Sequence, residues 1–474
     1  MSVVELRSGT TGAGVERSLS GWGRTAPSSC RVLRPEHPEE VAQALSAAAS
    51  LGTGLIARGA GCSYGDAAQN EGGAVLDMTA FDRIVSIDTE QRVLRAQAGA
   101  TIAELMAALA PHDLTLPVVP GTRHVTLAGA IASDIHGKNH HRDGGFARYV
   151  TSISLCTPAA GVVEVSPESD ADLFYATLGG MGLTGVILEA TLRVDPLASP
   201  WVAGDVDRTE GLQETLELLG GEEHHRYSVA WLDMLAPGAK MGRAVITRAD
   251  PLPAADAPVR SRRWPRERTL AASFARGAVV DVPSAFPPSL LRPSTVRAFN
   301  ELNWRASPRS ERGRPLALAP YFFPLDVLGE WNRFYGPAGL IQYQFVIPSG
   351  QEAALQRSFD LMRMRRLPVY LAVFKRFGAA FGGPLSFPLE GWTLAADVPA
   401  AAPGVRSALD ELDELVAGCG GRVYLTKDSR MRREALLSMY PQLDRFEAHR
   451  AAADPHGVLR SDLARRLGLG GAGR

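Results

Sequence analysis

The sequence predicts an α+β protein of two domains, and three observations carry that prediction. A chain of 474 residues exceeds what one ordinary hydrophobic core organises, so two units of roughly 200 residues are expected. From about residue 38 to residue 196, helical and strand-like periodicities alternate in short segments. After Pro196 the character changes to longer strand-like runs separated by a few helices, the pattern of an antiparallel sheet covered on one face.

Each element has its own signal. HPEEVAQALSAAASLG is amphipathic, with Pro38 suited to a first helical turn. TGLIARG is a short apolar strand running into glycines, and TIAELMAALAPHD is a second helix opened by a Thr101-x-x-Glu104 capping box. Strands follow at YVTSISLCT and GVVEVS, then a helix at SDADLFYATLGG and a strand at GVILEATLRV. In the second unit YSVAWLD, GRAVITR, LIQYQFVIP, PVYLAVFKRFG and GWTLAADV read as strands, with a helix at GQEAALQRSFDLMRMRR. Residues 249–268, rich in Pro, Ala and Arg, read as a loop or linker, and GRVYLTKDSR as a last strand before short closing helices.

Composition narrows the function. With 45% hydrophobic and 21% charged residues and a net charge of −1, the chain reads as an ordinary globular protein without the basic surface of a nucleic-acid binder. No basic segment followed by an apolar core opens it, and no run of eighteen apolar residues could span a membrane, so a cytoplasmic location is expected. Four separated cysteines without a CxxC fit reduced thiols. Of 50 basic residues only Lys138, Lys240, Lys375 and Lys427 are lysine. Where arginine is the default cation, a lysine marks a place that needs a compact point charge or a titratable amine.

Several motifs bear chemistry. GMGLTG (180–185) matches GxGxxG, but a helix precedes it and a strand follows, the reverse of a dinucleotide fingerprint. ARGAGCSYGD (57–66) is a strand running into three glycines, able to aim successive N–H groups at a pyrophosphate; the bland alternative is a hairpin turn. Residues 120–145 bring small side chains (Ala128, Gly129, Ala130, Ala132) that let a flat aromatic ligand approach, and end in DIHGKNHH. His136 and His140 are spaced i, i+4, but no third ligand is evident, so no metal is expected. An active-site loop carrying an imidazole and an ammonium is the better reading. On one strand Gln342 and Gln344 share a face, as a neighbouring run presents Lys375. Amides and an ammonium together suit a polyhydroxylated or phosphorylated ligand.

In this order RGAGCSYGD, PGT…GAIASDIHGKNHH, GGMGLTG, EWNRFYGPAGLIQYQFVIP, LSFP…GW and YLTKDSR closely resemble the decaprenylphosphoryl-β-D-ribose 2′-oxidase family of vanillyl-alcohol-oxidase-like flavoproteins. The resemblance runs from LSGWGRTAPS (19–28) to SDLARRLGL (461–469). It implies an FAD-binding domain in two parts, 1–197 and 421–474, with an antiparallel-sheet substrate domain, 198–420, inserted between them. It places the cofactor against Ala57, Arg58, Gly59, Ala60, Gly61, Cys62, Ser63, Tyr64, Gly65, Asp66 and Ala67. It adds Gly121, Thr122, Thr126, Leu127, Ala128, Gly129, Ser133, Asp134, Ile135, His136, Gly182, Ile187 and Tyr424. Cys62 stands where many superfamily members carry a flavin-linked histidine, which the oxidase family lacks, so non-covalent FAD is expected. Substrate-binding positions are Lys138, Gln342, Gln344, Lys375, Phe377 and Lys427. Phe322, Phe323, Thr393 and Ala395 depart from the family's usual residues on the presumed substrate side.

The implied reaction oxidises the 2′-hydroxyl of a polyprenylphosphoryl-β-D-ribose, the first half of an epimerisation serving cell-wall arabinan, with a short-chain reductase as partner. Lys427 is assigned to the reacting hydroxyl and flavin edge as base or as cation, His136 is the alternative base, and Tyr64 orients the hydroxyl. Lys138, Lys375 and Gln344 would hold the phosphate. The alternatives are an alditol or aldonolactone oxidase on the same scaffold and a flavin-free lipid-phosphate binder. A polyprenyl substrate implies work at the membrane surface, from the cytoplasmic or the periplasmic side. The arginines 260, 262, 263, 266 and 268 around Trp264 are expected to form a flap that meets it.

Overall fold

The computed structural model describes residues 14–221, 224–258, 271, 273–274, 278, 280–284, 286–287 and 290–470. The expected arginine-rich flap at 260–268 lies outside the described residues. Three sheets organise the rest. The first is four-stranded, in the order Val15–Leu19, Ser28–Leu33, Ala74–Asp77, Leu55–Arg58, with only its first pair antiparallel. The helix Pro38–Leu51, with proline in its first turn, makes the crossover to Leu55–Arg58. The second sheet is antiparallel, in the order Ile84–Asp88, Val93–Gln97, Val186–Arg193, Val150–Thr157, Gly161–Val165. The helix Ile102–Leu109 beside it begins with the expected reciprocal Thr101–Glu104 capping box.

The third sheet has eight strands, all antiparallel: Ser310–Ala317, Trp201–Arg208, Arg243–Pro251, Tyr227–Asp233, Leu371–Phe377, Gly391–Pro399, Leu340–Pro348, Arg422–Val423. Its register determines what the site contains. Lys375 pairs with Thr393, Ala395 with Gln344, and Asp397 with Gln342. Because side chains of paired residues share a face, one face carries these polar groups in adjacent rows. The alternate residues Phe374, Leu394, Phe345 and Tyr343 turn the other way into a core with Leu355 and Phe359 of helix Glu352–Met364 and Leu409 and Leu412 of helix Val405–Gly418.

Two expectations need correction. Ala249 to Pro251, read as the start of a loop, complete the strand Arg243–Pro251. GRVYLTKDSR is not a strand throughout: only Arg422 and Val423 pair, and the chain then turns, with Lys427 N–H and Asp428 N–H both donating to Tyr424 O at 2.9 and 3.1 Å. The tail returns to the first sheet. Leu55 N–H donates to Val458 O (2.8 Å), Arg460 N–H donates to Leu55 O (2.9 Å), and the Ser28 hydroxyl meets Asp462. Ile56 and Val75 of the first sheet share one core with Phe345 and Phe374 of the third, so both halves press on the space between them.

Candidate active site

The glycine loop leaves strand Leu55–Arg58 under tight constraint. A Cβ at Gly59 would lie 2.1 Å from Thr126 Oγ1 and one at Gly65 would lie 1.6 Å from Asp428 O, while Gly61 has φ +70°. Only glycine satisfies all three. Arg58 braces the loop from inside, donating to Ala68 O (3.0 Å) and Ser20 O (2.8 Å). Arg466 holds the far end through both oxygens of Asp66 (2.7 and 2.9 Å) and through Asp428 (2.8 Å). Among the described residues the N–H groups of Ala60, Gly61, Cys62 and Ser63 find no acceptor. A braced row of free backbone donors suits the pyrophosphate of FAD.

The second ribbon, Thr126 to His136, runs alongside. Thr126 caps the short helix Leu127–Ala132 through its hydroxyl, which accepts from Gly129 N–H at 3.3 Å, and half-buried Ala128 and Gly129 leave the surface shallow. Leu127 points into the core, as does Ile187. Asp134 holds a left-handed backbone, φ +40°, and is wholly buried. Its Oδ1 accepts from Ala147 N–H at 3.1 Å, and burial pushes its pKa up to about 7 against the opposing pull of the hydrogen bonds from Ala147 and Ser386. Tyr424 ties the ribbon to the third sheet by donating its hydroxyl to Ser133 O (2.7 Å). Gly182 packs on Ile56, whereas Gly121 is exposed and Thr122 half-buried at the periphery.

On the opposite wall the scarce lysines converge. Lys427 Nζ lies 3.8 Å from the centre of the Tyr64 ring; burial lowers its pKa to about 8, against the opposing pull of Asp397 and Cys62. Lys375 Nζ donates to Gly137 O (3.3 Å), and burial, then Lys427, brings its pKa down to about 7. Lys138 caps Tyr321 O and sits 4.2 Å from that ring's centre; burial, then Lys375, lowers it to about 7 as well. His136 is walled by Phe377 (4.8 Å), Tyr424 (5.3 Å) and Phe387 (5.7 Å). Burial, with Lys375, His140 and Lys427 around it, holds its pKa well below the ordinary imidazole value, so it is neutral. The Gln344 amide N–H donates to its Nε2 at 2.9 Å, an arrangement that leaves the ring proton on Nδ1.

Histidines of the DIHGKNHH cluster have separate fates. Only His136 faces this wall. His140 packs on Phe377 (4.3 Å) and accepts Gly378 N–H at 3.2 Å, and His141 donates to His225 O at 3.0 Å. Of the four departures from the family pattern, Thr393 accepts from Gln344 (3.3 Å) and Ala395 stands beside it, while Phe322 and Phe323 are buried next to Tyr321, whose carbonyl Lys138 caps. Arg58 and Asp66 serve the cofactor loop as struts. Sequence reasoning missed Asp397, wholly buried, whose Oδ1 accepts from the Gln342 amide (2.5 Å) and whose pKa burial pushes up to about 7. Its signal was present: it lies two and four residues beyond Ala395 and Thr393, on the same strand face. Arg466 carried no comparable signal.

Comparison with known proteins agrees with this geometry. Residues 30–166, a range that includes the braced glycine loop and the adjoining ribbon, match a family model described as an FAD binding domain. Decaprenylphosphoryl-β-D-ribose oxidase of Mycolicibacterium smegmatis is 42% identical over 96% of this chain and 98% of its own length. L-gulono-1,4-lactone dehydrogenase of Mycobacterium tuberculosis is 26% identical over 94% of this chain and 98% of its own. Among solved structures, Physcomitrella patens BBE-like 1 superposes with a TM-score of 0.66 over 93% of this chain and 92% of its own, at 16% identity, which is a likeness of fold. At that identity and coverage to the mycobacterial oxidase, the chain belongs to the decaprenylphosphoryl-β-D-ribose oxidase family of FAD-dependent oxidoreductases.

Proposed function

We propose that the protein oxidises the 2′-hydroxyl of a polyprenylphosphoryl-β-D-ribose to the 2′-keto sugar, using non-covalently bound FAD. The observation that carries the reading is the convergence of three of the chain's four lysines on one wall with Gln344 and a neutral His136. Residues 1–197 and 421–474 form the FAD-binding domain, and residues 198–420 the substrate domain between its halves.

FAD, when bound, supplies the hydride acceptor for C2′. The remaining work belongs to side chains. Lys427, with a pKa near 8, is neutral often enough at physiological pH to take the proton from O2′, and once charged it leaves a cation beside the ring. His136 is the weaker candidate for base: its lone pair already receives the Gln344 donor and its pKa is low. It orients the sugar instead. Tyr64, whose phenol pKa burial holds well above the ordinary value, keeps its proton and donates to the reacting oxygen. Lys138 and Lys375, each near 7, gain full charge when a phosphate enters, because an anion raises the pKa of both. Phosphate binding is therefore accompanied by proton uptake.

Among the described residues no helix is long and apolar enough to cross a membrane. A polyprenyl tail costs about 0.8 kcal/mol per CH₂ exposed to water, so the protein meets its substrate at the bilayer surface. A short-chain reductase completes the epimerisation to the arabinose donor. The test is anaerobic mixing of the yellow protein with polyprenylphosphoryl ribose, which should bleach the flavin and yield the 2′-keto sugar. The relative named as a gulonolactone dehydrogenase supplies the rival substrate: bleaching by L-gulono-1,4-lactone but not by the phosphoryl ribose overturns the proposal.

A further inference from the structure

Beyond the polar wall lies an apolar groove of about 330 Å³. Leu291, Val296, Phe299, Leu328, Trp331 and Tyr335 are among the residues that line it. Among the described residues that wall it, none is charged. The helix Pro293–Ala306 turns Val296, Asn300 and Trp304 inward, yet leaves Phe299 63% and Leu302 68% exposed. Contiguous exposed apolar surface of this kind marks a binding face.

The groove adjoins the active site: Trp331 lies 6.5 Å from the Tyr64 ring, and Leu371, which also lines the groove, pairs with Asp397. Leu371, Val373 and Lys375 alternate on one strand and share a face. A chain leaving a phosphate held at Lys375 would therefore run over Val373 and Leu371, roughly 13 Å along the strand, and then enter the groove. The order of surfaces is cation, aliphatic track, apolar groove. That order matches a phosphate followed by a branched hydrocarbon.

We propose that this groove binds isoprene units of the substrate's polyprenyl chain, beyond those nearest the phosphate. The inference rests on the substrate reading above and adds a second recognition element to it. The tail would then contribute to affinity and would hold the head group in register with Lys427. A prenyl chain too short to reach past Leu371 would gain nothing from the groove.

The test uses the FAD-loaded full chain with Phe299→Glu and with Leu325→Glu, Leu325 being a further lining residue that is 36% exposed, so that a charge at either position is compatible with folding. KM for pentaprenylphosphoryl ribose should rise ~10-fold or more, as expected for losing a few buried methylene equivalents, while kcat/KM for the dimethylallyl analogue stays unchanged. Binding of a fluorescent pentaprenyl monophosphate, read by anisotropy, should weaken in parallel. Loss of activity on both chain lengths alike, or on neither, overturns the proposal. So does a loss of binding to vesicles without substrate that accounts for the pentaprenyl effect, because the face would then be a bilayer contact. If the wild type oxidises neither substrate yet binds pentaprenyl monophosphate in a variant-sensitive manner, the groove stands and the reaction assignment fails.

Discussion

Replacing Asp397 with asparagine tests whether Lys427 is the base. The side chain keeps its size, and an amide oxygen can still accept from Gln342, as Oδ1 does now at 2.5 Å. What is lost is the carboxylate that favours the ammonium form of Lys427 against burial, which has brought that amine down to about 8. A fully ionised neighbour within ~4–6 Å moves a pKa by about 1–3 units. Asp397 is itself held up at about 7 and is only partly ionised near neutrality, so a downward shift of about one unit is expected. That corresponds to ~1.4 kcal/mol in the proton affinity of the amine. The sign follows directly: a base acts when deprotonated, and its neutral fraction at pH 7 would rise from roughly 10% to roughly 50%. The acid limb of the rate profile moves to lower pH, while the alkaline plateau falls a few-fold because the amine is a weaker base. The assay is the single-turnover rate of flavin reduction at saturating substrate from acid to alkaline pH. Saturation matters because Lys138 and Lys375 titrate near 7 in the free protein. Tyr64 and Tyr335, the other groups facing Asp397, titrate well above the range. A midpoint that stays in place or moves upward would refute the assignment.

Lys427→Met should leave FAD bound and slow its reduction by substrate at least ~10²-fold; reduction at the wild-type rate in stopped flow removes the amine from the mechanism. Acid precipitation should release all the flavin into the supernatant, because the loop offers no histidine and the Cys62 thiol, pushed up to about 11 by burial, is scarcely ionised; colour kept in the pellet contradicts this. Arg466→Leu leaves buried Asp66 and Asp428 without their shared cation, so thermal or urea unfolding should show a loss of ~3–5 kcal/mol together with weaker retention of FAD on gel filtration. An unchanged midpoint and full flavin content would show that the C-terminal strut is dispensable.

Much of the fold was legible because the strands that build the site are strongly patterned. Leu340–Pro348 and Tyr227–Asp233 coincide with the runs read from β-branched and aromatic alternation. Interior strands such as Ala74–Asp77 and Trp201–Arg208 escaped notice, and so did two polar edges. Val15–Leu19 is VERSL, and Ser310–Ala317 is SERGRPLA, which carries Gly313 and Pro315 and lies at the border of its sheet, where a missing donor and charged side chains are tolerated. The error at Lys427 has a different origin. TKDSR follows two paired residues, and only the position of Asp428 O over Gly65 and of Thr426 O, accepting Tyr64 N–H at 3.0 Å, decides that the chain must turn there. Both partners are some 360 residues distant in sequence, so no local pattern could announce the turn.

The lysines were legible for a physical reason. An arginine keeps its charge whatever its surroundings, so nothing about its placement distinguishes a working position from a solvated one. A lysine can be driven to near-neutral pKa by burial, and burial lowers Lys138 and Lys375 to about 7 and Lys427 to about 8. In a chain with 46 arginines among 50 basic residues, the survival of an amine in a packed wall records a requirement that guanidinium cannot meet: a cation that can release its proton. Asp397 shows the limit of that logic. Aspartate is not scarce in this sequence, so composition leaves it unmarked. Only register, by placing it opposite Gln342 on the face of Thr393, brings it to the amine it controls. The titratable pair at the centre of the site is thus half a compositional fact and half a topological one, and Asp397→Asn separates the two halves by leaving Lys427 in place and changing only what surrounds it.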